Sequence, residues 1–210
     1  MFGIINYEVF FTSCVILSLI PGSDTIYILI QSISNDRKTG LFSAFGICSG
    51  IIVHTTLVTL GLSAILKSSP TAFQIVKFLG AGYLIYLGVK SILSKDCLLV
   101  QEGCDSKSSL KKAYIQGMIT NVLNPKVALF FLAFLPQFID TESNYYGAFA
   151  FVLLGLTYFV TTTIWSVILS FFASGAAIFL RKKQGFSKII NKLCGSIFIL
   201  LGLNLLLAKL

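Results

Sequence analysis

The sequence predicts an all-α membrane protein: six transmembrane helices form two inverted three-helix repeats, and the first and fourth helices are broken at Pro21 and Pro125. Three observations support this fold class. Apolar residues make up 56% of the 210-residue chain and charged residues 11%, against roughly 45–50% and 25% in average soluble domains. Six apolar stretches match the ~20 residues that a spanning helix needs. Two of these stretches contain a proline at corresponding places.

The six stretches follow one another along the chain with short polar segments between them. The first and fourth are the clearest, because each holds a single charged residue, Asp24 and Lys126 respectively. The fifth belongs to an uncharged run, residues 143–180, which we interpret as one helix with a tilted or interfacial extension. No basic segment precedes the first stretch, so we expect a retained helix rather than a cleaved signal peptide. The stretches are residues 9–34, 40–66, 70–92, 113–138, 146–172 and 188–208.

The prolines predict helix breaks inside two of the spans. A proline removes one backbone hydrogen bond and clashes with the carbonyl four residues earlier, here that of Leu17 and that of Asn121. Non-helical backbone at membrane depth is tolerated only where it is buried in protein or lines a cavity. Broken helices at corresponding positions of two halves are typical of a transporter's substrate site.

An internal repeat organises the chain as one transmembrane domain, residues 1–210. Residues 1–93 form the first three-helix repeat, residues 94–112 a cytoplasmic loop and residues 113–210 the second repeat. The prolines are 104 residues apart, whereas residues 78–88 resemble residues 192–202 at an offset of 114, so we expect a ten-residue insertion in the second half. Because three is odd, the second repeat inserts upside down relative to the first.

The basic residues predict the orientation in the membrane. If successive loops alternate sides, twelve basic residues lie on one side and three on the other. The positive-inside rule makes the first side cytoplasmic and places both termini outside. We expect anionic lipid headgroups, not nucleic acid, as partners of the net charge of +8. The twelve are Arg37, Lys38, Lys90, Lys95, Lys107, Lys111, Lys112, Arg181, Lys182, Lys183, Lys188 and Lys192, and the three are Lys67, Lys77 and Lys209.

The residues around the two breaks are the candidate site. Asn124 followed by Pro125 is typical of a helix start, with Asn as N-cap and Pro at the first position. Asp24 lies near the start of the half-helix after Pro21 and Gly22, where an acidic group is favoured by the helix dipole. Lys126 is in a first turn, the unfavourable end for a cation, at a depth where a charge costs roughly 2.5–3.5 kcal/mol.

Two hypotheses account for the opposite charges. Asp24 and Lys126 could form a buried salt bridge that joins the halves, although such pairs often return less than their desolvation cost. Alternatively they bind a zwitterion: Lys126 and the amides of the two half-helices would bind a carboxylate, and Asp24 would meet an ammonium group or carry a coupling proton. Asn121, one turn before Pro125, joins this site in either case.

Other polar residues in the spans are weaker candidates. His54 is the single histidine, and its ordinary pKa suits proton coupling, but a hydrogen-bonded interior histidine is the alternative. Tyr83, Tyr86 and Trp165 are candidates for a pathway lining or for packing and interfacial anchoring. The GxxxG motif Gly46-Ile47-Cys48-Ser49-Gly50 is typical of close helix packing within the chain or of a homodimer face.

The five cysteines form no disulfide framework or zinc spacing, so we predict no metal site and assign them to packing and loops. No nucleophile triad or phosphate loop is present, and we do not expect an enzyme. The cysteines are Cys14, Cys48 and Cys194 within the spans and Cys97 and Cys104 in the cytoplasmic loop.

These motifs resemble a known family. Pro21-Gly22-Ser23-Asp24 resembles the PGPD signature in the first helix of the LysE/RhtB family of bacterial amino-acid exporters, and the resemblance extends over essentially the whole chain. Two positions depart from the family pattern: Ser23 replaces the commonest Pro, and Ile51 stands where many members have an acidic residue. The other matching segments are residues 46–50, 61–62, 77–88, 124–126 and 134–138.

The resemblance implies a six-helix exporter of amino acids in the bacterial cytoplasmic membrane, driven by the proton gradient and without a cofactor. One acid and one base at mid-membrane balance the two charges of a zwitterion, which favours neutral amino acids, such as threonine, homoserine or leucine, over basic ones. A metal-cation exporter of the same superfamily is the main alternative, with Asp24, His54 and the span cysteines as ligands. A passive channel is another.

Overall fold

The computed structural model describes residues 3–62, 70–93, 109–140, 147–182 and 184–207, and almost all of them are helical. Both predicted breaks are present. Helix α1 spans Tyr7–Leu19 and α2 spans Ser23–Ser34, with Pro21 and Gly22 between them and a bend of 46°. The second break, described next, has the same bend.

Helix α5 spans Leu110–Val122 and α6 begins at Pro125. Asn124 accepts a hydrogen bond from the Lys126 amide as N-cap, and Pro125 is the first helical residue, as the sequence predicts. Helix α6 spans Pro125–Leu129 and continues as a π-helical turn, Phe130–Phe134, and a 3₁₀ turn, Leu135–Phe138. The bend between α5 and this segment is also 46°.

The remaining helices are unbroken by proline. Helix α3 spans Arg37–Leu57 and ends in a π-helical turn, Val58–Leu62, and α4 spans Pro70–Leu93. The Thr39 amide donates to the carboxylate of the N-cap Asp36 at 2.6 Å and lowers the pKa of that carboxyl. Helix α7 spans Gly147–Lys182 and α8 spans Gln184–Leu207.

Helix α7 confirms that the long uncharged run is a single helix. It has 36 residues, about 54 Å at 1.5 Å per residue, which exceeds the ~30 Å hydrocarbon core of a bilayer. Its apolar part, Ala148–Ala173, is long enough to span a membrane, and the rest extends beyond that part.

Four helical units of the described residues have the length and apolar character of membrane spans. Two are straight, Arg37–Gly61 and Ala148–Ala173, and two are the bent pairs, if each pair counts as one span. Helices α4 and α8 have 24 residues each and pack against each other. The described residues therefore support a helical protein with two to four apolar spans.

Two hydrophobic cores lie within the helices. The larger core joins α1, the segment after Pro125 and the first half of α7 with residues of α3, α4 and α8, and Phe10, Phe131 and Leu154 are among its fully buried residues. The smaller core joins α2, α3 and the second half of α7, and contains Ile28 and Leu169. Helix α7 takes part in both cores, so its middle lies where they meet.

The GxxxG motif packs within the chain. A Cβ at Gly46 would collide with the Tyr114 carbonyl, and one at Gly50 would lie 2.6 Å from the Asn121 side-chain oxygen. The motif therefore brings α3 against α5, which is the intramolecular alternative of the prediction.

One lysine and two cysteines have buried side chains within the helices. Lys77, which the charge count assigned to the outer side, is only 4% exposed within α4, so it cannot serve as an outer loop charge. Cys14 and Cys48 are buried, and the Thr163 hydroxyl donates to the Cys48 sulfur at 3.1 Å. Cys97 and Cys104 lie outside the described residues, as does the Cys194 side chain.

Candidate functional site

Asp24 is the centre of a hydrogen-bonded group that joins the two breaks. It is the second residue of α2 and is partly buried. The Asn121 amide donates to one carboxylate oxygen at 2.7 Å, and the Asn124 amide donates to the other at 2.9 Å. The Ser23 hydroxyl makes a longer contact of 3.4 Å. The carboxylate of the first break is thus held by two amides of the second break.

The two asparagines are themselves fixed. Asn124 is 4% exposed, and its side-chain oxygen accepts from the Lys126 backbone amide at 3.0 Å, so its NH₂ group faces Asp24. Asn121 is fully buried, and its side-chain oxygen lies against Gly50 without a hydrogen-bond partner among the described residues. A buried acceptor of this kind costs about 1–3 kcal/mol if it stays unsatisfied.

The Lys126 ammonium points at the end of another helix. It donates to the Leu17 carbonyl at 3.3 Å and to the Ile20 carbonyl at 3.1 Å. Leu17 carries the carbonyl that Pro21 deprives of its partner. The expectation that Lys126 lies at the wrong end of a helix dipole was wrong for its charge, because the ammonium lies at the C-terminus of α1, where a cation is stabilised.

His54 is the side chain that hydrogen-bonds a backbone carbonyl at the second break. Its Nε2 lies 3.2 Å from the Asn121 carbonyl, which loses its helical donor to Pro125 and also accepts from the Asn124 amide at 2.9 Å, and its ring stacks on Phe131 at 5.6 Å between centroids. A carbonyl can only accept, so Nε2 carries the hydrogen. Each proline-freed carbonyl therefore receives a donor from the other half of the chain: Leu17 from Lys126 and Asn121 from His54.

The two half-helix N-termini differ. The N-terminus of α2 begins at Gly22, and no side chain caps it. A Cβ at Gly22 would lie 3.3 Å from the Lys126 Nζ, so the ammonium passes directly over this glycine. The N-terminus after Pro125, by contrast, is occupied by the Asn124 side chain. The expected pair of open amide ends is reduced to one, at α2.

A small cavity lies beside Asp24 and Lys126, between the first break and α7. Its volume is about 20 Å³, enough for about one water molecule and far below the ~300–1,000 Å³ of small-molecule pockets. The structure is therefore closed around the site. The lining residues are Leu17, Ser18, Asp24, Thr25, Ile28, Lys126, Tyr158, Thr162, Trp165, Ser166 and Leu169.

The α7 residues of this lining were mostly missed at the level of sequence. Trp165 is a sequence-predicted candidate for a pathway lining, whereas Tyr158, Thr162 and Ser166 are not. Thr162, Trp165 and Ser166 follow Tyr158 by four, seven and eight residues, which puts all four on one helix face, and that stripe in an uncharged helix is the signal that could have identified them. The other two pathway candidates, Tyr83 and Tyr86, lie on α4 and do not line this cavity.

The part of the chain that the structure describes contains no arrangement of side chains that would hold a metal ion. No three His, Cys, Asp or Glu side chains there lie close enough to hold one ion. Asp24 and His54 are engaged by Asn121 through its side chain and its carbonyl respectively.

Comparison with known proteins adds a family and several relatives. The sequence profile of the family described as LysE type translocator matches residues 15–209. A leucine efflux protein of Klebsiella pneumoniae is 30% identical over 201 residues, which is 94% of this chain and 93% of that protein. A leucine efflux protein of Salmonella typhimurium is 28% identical, with 94% and 93% covered.

An uncharacterised membrane protein of Bacillus subtilis, YrhP, is 29% identical over 194 residues, which is 89% of this chain and 91% of that protein. No solved structure matches the chain. The similarity to all three relatives covers nearly the full length of both chains.

Proposed function

Because the chain belongs to the LysE type translocator family, we propose that it exports neutral amino acids from the cytoplasm by secondary active transport. Two of the similar proteins are leucine efflux proteins, which makes leucine the first substrate to test. Threonine and homoserine are the next candidates, and basic amino acids are less favoured.

The observation that carries this proposal is the charge arrangement at the two breaks. Asp24 is oriented by two amides, and Lys126 lies across Gly22 at the open end of α2. In our proposal the substrate ammonium binds at Asp24, and its carboxylate binds at Lys126 and the α2 amides, where the helix dipole favours an anion. Asn121 and Asn124 position the carboxylate of Asp24 rather than touch the substrate.

The carbonyl contacts of Lys126 suggest how the empty and loaded states differ. The Leu17 and Ile20 carbonyls neutralise part of the ammonium's charge while the site is closed. A substrate carboxylate would compete with these carbonyls for the same ammonium, since a charged acceptor forms a stronger hydrogen bond than a neutral one. Binding would then loosen the end of α1, which couples substrate binding to movement at the break. A closed Asp24–Lys126 ion pair in the empty state is compatible with this proposal.

We further propose six spans arranged as an inverted repeat, with α4 and α8 as the third and sixth. The equal 46° bends support this arrangement. The contacts between α4 and α8 support it too. At an offset of 114 residues, Gly88 corresponds to Gly202 and Ala81 corresponds to Gly195, so a repeat that pairs Gly88 with Gly195 should also pair Gly202 with Ala81. Both are present, since a Cβ at Gly88 would lie 2.6 Å from the Gly195 carbonyl and one at Gly202 would lie 2.9 Å from the Ala81 carbonyl.

We propose that both termini lie outside the bacterial cytoplasmic membrane. The excess of basic residues on the opposite side supports this. The pairing of Ile4 with Ile139, in which the Ile5 amide donates to the Phe138 carbonyl at 2.9 Å, joins two segments that the proposal assigns to the outside. Arg37 lies 5.1 Å from the Phe171 ring, and both belong to the inner side in this scheme.

We propose proton coupling through Asp24, with His54 as a second candidate. Asp24 is the charged acid of the site, and a carboxyl that alternates between a proton and a substrate ammonium couples their movement. His54 contacts the same Asn121 that orients Asp24, so a change in the protonation of His54 would alter the hydrogen bonding of Asn121 at the site. The coupling ion is then the proton, and no cofactor is required.

Membrane lipids surround the exposed apolar faces, and a homodimer is a further proposal.

Efflux from dipeptide-loaded cells tests the proposed function. Cells with and without the chain are loaded with dipeptides that together cover all amino acids, and the released amino acids are measured. We expect faster release of leucine and other neutral amino acids with the chain present, and loss of this release in Asp24→Asn at unchanged membrane abundance. Glu8→Gln, an exposed acid at the start of α1, serves as the matched control. Tolerance to cadmium without amino-acid release would instead favour the metal-cation alternative.

A further inference from the structure

The small cavity beside the site is lined by both charged and apolar side chains. Asp24 and Lys126 are its charged residues, and Ile28, Trp165 and Leu169 are among its apolar ones, although the Trp165 indole N–H has no hydrogen-bond partner among the described residues. Ile28 is 1% exposed and Leu169 is 7% exposed, and both belong to the smaller hydrophobic core. The cavity wall therefore contains both the charged residues and members of a buried apolar cluster, together with the hydroxyl side chains of Thr25, Thr162 and Ser166.

The helix geometry fixes how these residues are spaced along α2 and along α7. Ile28 follows Asp24 by four residues on α2, so the two side chains lie on one face of the helix, one turn of about 5.4 Å apart. Trp165 and Leu169 are likewise one turn apart on α7 and face the same cavity. A substrate whose ammonium binds at Asp24 therefore has its side chain about one helical turn from Ile28, and Trp165 and Leu169 line the same cavity.

The apolar residues of the cavity lining favour a substrate with an uncharged side chain. Among the described residues that line the cavity, Asp24 is the single carboxylate, and the proposed binding mode uses it for the substrate's ammonium. A lysine or arginine side chain would enter an apolar cluster with no acid to pair it, and an unpaired charge there is expensive. An aliphatic side chain gains contacts with the same residues.

We infer that Ile28, Trp165 and Leu169 form the side-chain subsite that selects the transported amino acid, and that the subsite takes an aliphatic side chain of about the size of leucine's. This inference rests on the proposed function. The cavity is closed, so the subsite opens when α2 and the second half of α7 separate at the smaller core. The same residues thus close the inner side of the site when it is empty and contact the substrate when it is filled.

The experiment measures the ratio of leucine to alanine release from dipeptide-loaded cells. In Leu169→Ala and Ile28→Ala the leucine side chain loses contacts that alanine never makes, so we expect the ratio to fall about tenfold, the usual effect of a few methylene contacts on discrimination. Phenylalanine release should rise in Leu169→Ala because the subsite is enlarged. Alanine release from the same cells reports that the variant is folded and active. Ile168→Ala, the exposed neighbour on α7, is the matched control and should keep the wild-type ratio.

If the alanine variants fail to reach the membrane, Ile28→Val and Leu169→Met provide smaller changes of volume, and a shift of the ratio in the same direction is expected. An unchanged ratio in active subsite variants would overturn the subsite and leave the exporter intact. If the wild-type chain releases no amino acid, the proposed function itself fails.

Discussion

The Lys126 side chain explains how a cation is tolerated in the middle of an apolar segment. Its backbone belongs to the start of one helix, while its ammonium lies at the end of another and donates to two carbonyls there. Those carbonyls lack helical partners because Pro21 and the break follow them. The ammonium of Lys126 therefore supplies donors to the carbonyls that the break at Pro21 leaves without partners, and these carbonyls stabilise the charge of Lys126.

Replacing Lys126 by methionine tests both of its roles. Lys126→Met keeps the length of the side chain but removes the donor, so we expect efflux to be abolished and the free energy of unfolding to fall by about 1–3 kcal/mol for the carbonyls left unpaired. Efflux and thermal unfolding in detergent measure the two effects. Lys112→Met, an exposed lysine in α5, is the control. Wild-type efflux in Lys126→Met would remove the ammonium from the mechanism.

At the scale of helices, close packing of α3 on α5 places the amide that orients Asp24. Gly46 and Gly50 leave no room for a side chain, and Asn121 fills the space beside Gly50. His54, one turn after Gly50 on α3, donates to the Asn121 carbonyl. Helix α3 therefore holds Asn121 by both its side chain and its backbone, although it contributes no residue to the lining of the small cavity.

A glycine-to-alanine pair tests this packing. In Gly50→Ala the new Cβ would lie 2.6 Å from the Asn121 side-chain oxygen and 2.8 Å from its Cβ, so the Asn121 side chain that donates to Asp24 must shift. We expect at least a tenfold loss of efflux with the protein still in the membrane, because small displacements of positioning groups are costly. Gly82→Ala is the matched control, since nothing lies within 4 Å of a Cβ at Gly82, and it should transport normally. Equal efflux in the two variants would contradict the positioning role.

At the scale of the whole molecule, the site lies where two hydrophobic cores meet on α7. The larger core packs around the first part of α7 and the smaller core around its second part. Each core can act as the seal on one side of the site. If the two seals open in turn, the molecule alternates access without moving the charged residues far, which is the behaviour that the proposed inverted repeat would give.

The energy source of this cycle can be measured directly. In membrane vesicles loaded with leucine, we expect release to accelerate when a proton gradient of the correct direction is imposed and to fall to the passive rate when an uncoupler collapses it. The reason is that an exchange of proton and substrate ammonium at Asp24 links the two fluxes. Vesicles without the chain give the passive rate. Release that is insensitive to the gradient would instead indicate a channel.

The sequence by itself determined the helical class, both breaks and the candidate charges. Proline chemistry and the scarcity of charged residues are local properties, so Pro21, Pro125, Asp24 and Lys126 could be identified without any contact. The same holds for the Asn124 cap, which acts within one turn.

The tertiary structure alone decided which groups meet. Asp24 and Asn121 are 97 residues apart, and the sequence does not encode in any local pattern that two amides of one break hold the carboxylate of the other. It also could not show that the Lys126 ammonium reaches the end of α1, or that a stripe of α7 faces the first break. These contacts depend on how the helices pack across the two cores, which is a property of the whole chain and not of any segment.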